Sequence, residues 1–213
     1  MLLETRFVEP FYKNGFVAGC ERTREAVVID PGDEVNTLLD VVARQRLLVR
    51  YILLTHAHVD HVTGVGRAKK VLGAPVYLHR DDKILYDATP QQAALFGFRA
   101  DAPPPIDHFY DMKETLSFGD YQINVHHTPG HCPGGVCLQV GPSGTPGQDL
   151  FVGDTLFAGS IGRTDLPGGD YETLMRSIKN VLFALGDDAR VHPGHGPATT
   201  IGQERKTNPF LKP

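Results

Sequence analysis

Thr55-His56-Ala57-His58-Val59-Asp60-His61, directly after the apolar run Val49-Arg50-Tyr51-Ile52-Leu53-Leu54, places three imidazoles and one carboxylate within six residues. Neutral imidazole and ionised carboxylate are the side chains that suit zinc, iron or manganese, and a strand ending in a turn aims several of them at one point. A lone His-x-His is weak evidence, because histidines at alternate positions are commonly ordinary surface or core residues. Adding Asp60 and His61 supplies more ligands than one tetrahedral ion needs once further histidines converge.

Three later segments offer such residues. Val125-His126-His127-Thr128-Pro129-Gly130-His131, Asp149-Leu150-Phe151-Val152-Gly153-Asp154 and Arg190-Val191-His192-Pro193-Gly194-His195-Gly196 each carry a β-like run into a Gly-marked turn. Pro fixes and Gly permits the turn geometry with which a loop brings a side chain to a buried centre. His131, Asp154 and His195 therefore join His56, His58, Asp60 and His61 as metal-ligand candidates.

With these residues the chain resembles the metallo-β-lactamase superfamily, whose pattern is a THxHxDH motif followed by a His, an Asp and a His at three later strand ends. Ala26-Val27-Val28-Ile29-Asp30-Pro31-Gly32 resembles the family's early strand with its supporting aspartate, so the likeness covers nearly the whole chain. The resemblance implies two divalent ions, zinc in the first place with iron or manganese as alternatives. His56, His58 and His131 would hold one, Asp60, His61 and His195 the other, and Asp154 would bridge them. Some β-lactamases of the superfamily place a cysteine where this chain has Asp154, so the carboxylate points to the thioesterase, lactonase and dioxygenase branches.

Composition bounds the rest. A chain of 213 residues, 41% hydrophobic and 22% charged, reads as one globular domain over 1–213 with a sizeable core. A formal net charge of −4 lacks the basic surface that drives phosphate-backbone binding, so no nucleic-acid partner is expected. No run reaches the roughly 18 apolar residues of a membrane span, and Met1-Leu2-Leu3-Glu4-Thr5-Arg6 lacks the order of a signal peptide. No membrane association and a cytoplasmic location are the expectation. Cys20, Cys132 and Cys137 are too few for a disulfide framework and read as reduced thiols.

β-like segments fall near 2–8, 16–19, 25–30, 49–55, 75–79, 115–118, 121–127, 136–140 and 149–153. Helical spacing of apolar residues covers 33–46, with Asp33 as N-cap, and 60–72, which puts Asp60 and His61 at a helix N-terminus. It also covers 81–96, interrupted near Pro90, and 171–185, and a short helix begins near Ile201. Alternating strands and helices around a β-rich midsection fit an α/β fold. The four-layer αββα sandwich is what the family resemblance implies. Ala102-Pro103-Pro104-Pro105 reads as a stiff surface connection and residues 141–147 as a hairpin loop. His79, His108, His126, His127 and His192 lie outside the motif and read as structural or solvated, with His127 and His192 close enough to support ligands. Asp30 is expected to hydrogen-bond a ligand histidine or a backbone turn.

Within the superfamily the chain resembles short, single-domain glyoxalase II-like proteins. Only 18 residues follow His195, which leaves no room for the C-terminal helical domain of long glyoxalase II enzymes, and Gly196-Pro197 stands where those can present a tyrosine. Ser160-Ile161-Gly162-Arg163-Thr164-Asp165 and Pro167-Gly168-Gly169-Asp170 match the short group. The expected activity is hydrolysis of a small-molecule thioester such as S-lactoylglutathione by a metal-bound hydroxide, since two dications lower the pKa of a shared water toward about 7. Asp60 would orient that hydroxide and take its proton. Arg163 either receives the glutathione portion of the substrate or pairs internally with Asp165 or Asp170. The rival activity is that of a persulfide dioxygenase with one iron on His56, His131 and Asp154. Lactone or β-lactam hydrolysis would use the same water.

Overall fold

Short apolar runs carry the N-terminal half of the chain into a six-stranded sheet. Its strands are β1 (Leu2–Arg6), β2 (Gly15–Gly19), β3 (Glu25–Ile29), β4 (Leu48–Leu53), β5 (Val76–Leu78) and β6 (His108–Phe109), hydrogen-bonded in that order. The first three strands are antiparallel, while β3 to β6 run parallel. Parallel neighbours need crossovers, and helices supply them. α1 (Val35–Arg44) links β3 to β4, and α2 (Val59–Val62) with α3 (Val65–Leu72) links β4 to β5. Val35, Leu38, Val41 and Val42 form the buried face of α1, and they pack with Val28, Ile52, Leu54, Val65 and Leu78 in one core. The computed structural model describes residues 1–212, and by its contacts the chain divides into two units: Met1–Tyr110 with Phe118–Asp120, and Asp111–Ser117 with residues 121 onward.

The second unit holds a mixed sheet of order β14-β13-β10-β9-β8-β7. Its strands are β7 (Leu116–Phe118), β8 (Tyr121–His127), β9 (Val136–Pro142), β10 (Asp149–Gly153), β13 (Arg190–Pro193) and β14 (Thr199–Thr200), with a separate hairpin of β11 (Leu156–Phe157) and β12 (Ser160–Ile161). β8, β9 and β10 are antiparallel neighbours, and β10 and β13 run parallel. Leu150, Val152, Leu174, Ile178, Leu182, Val191 and Ile201 make this unit's core. The α/β class expected from the sequence is the class observed.

Helix boundaries shift where tertiary contacts compete with local pattern. Asp33 does not cap α1: the N-cap is Glu34, and the Asp33 carboxylate accepts from the Thr63 hydroxyl at 2.7 Å. The expected helix over 60–72 breaks between α2 and α3, because the Gly64 N–H donates to the Pro31 carbonyl at 3.0 Å. A Cβ on Gly64 would lie 2.3 Å from the Gly32 carbonyl oxygen, so only glycine allows this backbone contact. The region 81–96 splits into Lys83–Asp87 and Thr89–Leu95, with Pro90 in the first turn of the second piece, where its missing N–H costs nothing. The region 171–185 begins as helix Tyr171–Arg176, capped by Asp170 accepting from the Thr173 N–H, and continues through a π turn and a 3-10 turn.

The histidines outside the motif make local contacts, and His79 Nδ1 accepts from the Asp81 N–H at 3.3 Å. His126 Nε2 lies 2.8 Å from Gln139 Oε1, His127 Nε2 lies 2.9 Å from the Pro133 carbonyl, and His108 stacks on Tyr77. His192 stacks on Phe151, and its Nε2 lies 2.8 Å from Asp149 Oδ1. Arg190 donates twice to the same carboxylate, at 2.8 and 2.6 Å, tying β13 to the start of β10. All three cysteines are buried, without a disulfide, and burial pushes the Cys137 thiol up. Tyr86 and Lys69 bind the carbonyls of Pro104 and Pro105, which pins the proline segment.

Burial alone would raise the Asp149 carboxyl, but hydrogen bonds from His192 and Arg190 bring it down to about 2. A carboxyl held below its unfolded value stabilises the fold above that unfolded value and loses this contribution as pH falls through the folded one. The shift corresponds to about 2 kcal/mol. Asp149→Asn should therefore lower Tm at pH 7, and the deficit against wild type should shrink between about pH 4 and pH 2. Thermal melts of both proteins across that range provide the check, and a deficit independent of pH would exclude the ion-pair origin.

Candidate metal centre

Asp30 ends β3 and Thr55 follows β4, and the parallel register that sets Ile29 beside Leu53 brings these two chain ends together. The buried Asp30 carboxylate accepts from the Thr55 N–H at 2.7 Å, from the Thr55 hydroxyl at 2.6 Å, and from His61 Nδ1 at 3.0 Å. A carboxylate only accepts, so His61 carries its proton on Nδ1 and turns the Nε2 lone pair away. The Thr55 hydroxyl spends its proton on Asp30 and so accepts from His56 Nδ1 at 3.1 Å, which gives His56 the same tautomer. Asp30, His56 and His61 can bring ligand atoms within 4.8 Å of one another. Asp30, however, is committed to three donors and belongs behind the histidines. The ring of His56 lies 5.0 Å from that of His58 and 4.0 Å from that of His61, and His61 Nε2 is 3.7 Å from Asp60 Oδ2.

The backbone bearing these residues is clamped from a distance in sequence. The Ala57 N–H donates to the fully buried Asp82 carboxylate at 2.9 Å. Gln92 accepts from the Val59 N–H at 3.1 Å and donates to the Ala57 carbonyl at 3.0 Å. The Tyr110 hydroxyl donates to the Leu54 carbonyl, and burial together with the Asp30 charge holds it well above its ordinary pKa. Sequence reading missed Asp82, Gln92 and Tyr110 as supports of the motif, since nothing in local pattern distinguishes them from surface polar residues.

In the second unit, His131, Asp154 and His195 lie on loops that follow β8, β10 and β13. The Gly194 N–H bonds the Gly153 carbonyl at 2.8 Å, which draws the last two loops together. Asp154 Oδ2 is 3.7 Å from His131 Nε2 and 3.5 Å from His195 Nε2. His131 Nδ1 lies 2.8 Å from the Arg163 carbonyl, an acceptor only, so this ring also carries its proton on Nδ1. Gly162 allows the approach, because a Cβ there would stand 1.8 Å from the Asp154 carbonyl oxygen.

Arg163 thus contributes its backbone to the ligand loop, while its side chain forks onto Asp165 with two bonds of 2.7 Å. Of the two internal partners expected for it, Asp165 is the one used, since Asp170 is engaged as a helix cap. Hydrogen bonding from Arg163 depresses the Asp165 carboxyl to about 2. Both side chains are more than half exposed, so the pair is screened by water and contributes little to stability.

The donor set fits divalent ions. Ligands about 2.0–2.1 Å from a tetrahedral ion stand about 3.4 Å apart. Separations of 3.5 and 3.7 Å between imidazole nitrogen and carboxylate oxygen lie near that spacing and beyond a good hydrogen bond. The three defined tautomers all present Nε2, each backed by an acceptor on Nδ1, as metal-binding histidines do. Among the described residues no helix is long and apolar enough to cross a membrane.

Residues 10–195 match the metallo-beta-lactamase superfamily. The chain is 40% identical over 190 residues to hydroxyacylglutathione hydrolase GloC of Haemophilus influenzae, covering 88% of each protein. Among solved structures it is similar to BLEG-1 B3 metallo-beta-lactamase, with 37% identity, a TM-score of 0.90 and full coverage of both chains. It is similar also to a di-iron-bound form of TTHA1623, with 40% identity, a TM-score of 0.85 and coverage of 98% of this chain and 100% of that one. ETHE1 from Myxococcus xanthus shares 27% identity at a TM-score of 0.79, over 98% of this chain and 84% of its own. A family match across most of the chain, together with a similarity of fold over its full length, means that this protein belongs to the metallo-β-lactamase superfamily and has its fold.

Proposed function

We propose that the protein is a metal-dependent hydrolase that opens a small-molecule thioester of the S-lactoylglutathione kind. The observation that carries the reading is the set of three histidines, His56, His61 and His131, whose Nδ1 atoms are engaged by oxygen acceptors. The similarity to GloC supports the thioester.

In this proposal His56, His58 and His131 hold one divalent ion, Asp60, His61 and His195 hold a second, and Asp154 is shared. Zinc suits the nitrogen-rich set, and the di-iron form of TTHA1623 makes iron the alternative. Two such ions, when bound, supply Lewis acidity and a water whose pKa falls to about 7. With the ions bound, the Asp60 carboxylate would orient that water and accept its proton. Asp60 is the second residue of the four-residue helix α2. Arg163 exchanges its exposed partner Asp165 for a substrate carboxylate, a trade between two similar ion pairs.

The second reading is an iron-dependent persulfide dioxygenase using His56, His131 and Asp154, which the similarity to ETHE1 from Myxococcus xanthus keeps open. The similarity to BLEG-1 makes a β-lactam a necessary control substrate. Metal analysis of protein purified without added metal, paired with assays on S-lactoylglutathione and glutathione persulfide, separates the readings. Two ions per chain and thioester turnover are expected. One ion at saturating metal, with oxygen uptake on the persulfide, would replace the hydrolase by the dioxygenase.

Asp60→Asn and His61→Ala should each lower thioester turnover by about 10²-fold or more while far-UV circular dichroism stays that of wild type. Near-native kcat in either variant under limiting metal would exclude the two-ion mechanism.

Arg163→Ala should raise KM for a glutathione thioester more than it lowers kcat, with metal content and Tm nearly unchanged. A neutral thioester lacking the glutathione carboxylates should show no such KM change. Equal KM changes for both substrates would assign Arg163 to loop shaping alone.

A further inference from the structure

Lys13 is buried, with 2% of its side chain exposed, and so is its ion-pair partner Glu34, whose Oε1 lies 2.6 Å from Lys13 Nζ. Lys13 Nζ also donates to the backbone carbonyl of Asp30, and Glu34 accepts from the Gly32 N–H at 3.0 Å. The space is prepared for the pair: a Cβ on Gly15 would fall 2.0 Å from Glu34 Oε1. A buried ion pair is weak evidence for stability, since well-packed apolar residues of like volume are often as good or better. The contact with Asp30 offers another reason for it.

Asp30 sits at φ 48°, in the left-handed region, although an L residue disfavours that region and a residue before proline is pushed toward extended conformations. Its backbone is held there while its carboxylate serves Thr55 and His61, and through Thr55 also His56. We infer that Lys13 is a positioning residue for the candidate metal ligands: its bond to the Asp30 carbonyl holds Asp30 in the conformation from which one carboxylate sets the tautomers of His61 and His56. Glu34 has the lesser part of keeping the buried ammonium in place. The inference rests on the reading of His56 and His61 as ligands, and it concerns residues that touch neither metal nor substrate.

Three variants of the full chain separate positioning from general stability. Glu34→Gln removes the ion pair but keeps the Lys13 donor. Lys13→Met removes the donor and leaves Glu34 buried without its cation. Lys13→Met/Glu34→Met removes both charges together. Each is measured for Tm, for Zn²⁺ affinity by chelator competition, and, after metal removal, for histidine tautomers by ¹⁵N NMR.

The expected result is that affinity and tautomer follow the donor. Glu34→Gln keeps wild-type affinity and Nδ1–H signals for His56 and His61 even where its Tm falls. Both proteins lacking Lys13 bind Zn²⁺ at least about 10-fold more weakly and lose the single tautomer at His61, even where the double variant regains Tm. If affinity and tautomer instead follow Tm across the series, or if the double variant matches wild type in both, Lys13 is a structural residue only. Should the double variant not fold, Glu34→Gln against Lys13→Met still decides. Wild type that binds no Zn²⁺ would count against the metal reading, while the NMR comparison on metal-free protein would still judge Lys13.

Discussion

The Asp30 carboxylate, buried and accepting from the Thr55 N–H, the Thr55 hydroxyl and His61 Nδ1, is the interaction on which the arrangement of the His56–His61 segment depends. It joins the ends of two parallel strands, defines the tautomer of His61 directly, and defines that of His56 through the Thr55 hydroxyl. Parallel pairing is the reason it can. β3 and β4 finish on the same side of the sheet, so residues 25 apart in sequence meet where both strands stop. Polar groups collect there because the strand's hydrogen-bond ladder has ended and the chain must turn.

The second unit reaches a similar result with different chemistry. His131 is backed by the Arg163 carbonyl, whereas His61 is backed by a carboxylate. A carboxylate behind an imidazole makes it a more basic ligand than a neutral carbonyl does, so His61 and His131 are not equivalent donors despite their common tautomer. The Arg163 loop is held close by Gly162 against the Asp154 backbone, and so the residue with the cationic side chain in that loop is also tied by its carbonyl to His131. Changes to its side chain and changes to its backbone placement therefore have separable consequences.

A shared scaffold and ligand set are compatible with several chemistries, and the difference between them lies in the loops that meet the substrate. The chain is similar to a hydroxyacylglutathione hydrolase, to a B3 metallo-beta-lactamase and to a protein solved in a di-iron-bound form, all at between 37% and 40% identity.

The sequence by itself determined the superfamily, the α/β class and the seven ligand candidates, because ligation demands particular side chains at fixed spacing and the THxHxDH pattern is local. It also gave the expectation that Asp30 would hydrogen-bond a ligand histidine or a backbone turn, and the carboxylate accepts from His61 Nδ1 and from the Thr55 N–H. The supports of the motif were not legible: Asp82, Gln92, Tyr110 and the Lys13–Glu34 pair act across 21 to 56 residues of chain through single contacts that leave no periodic mark. The same holds for the break at Gly64 and the transfer of the α1 cap from Asp33 to Glu34, which local propensity would not choose. Only the tertiary structure decided those, since a buried backbone contact or ion pair outweighs the few tenths of a kcal/mol to about 1 kcal/mol that separate one local conformation or cap from another.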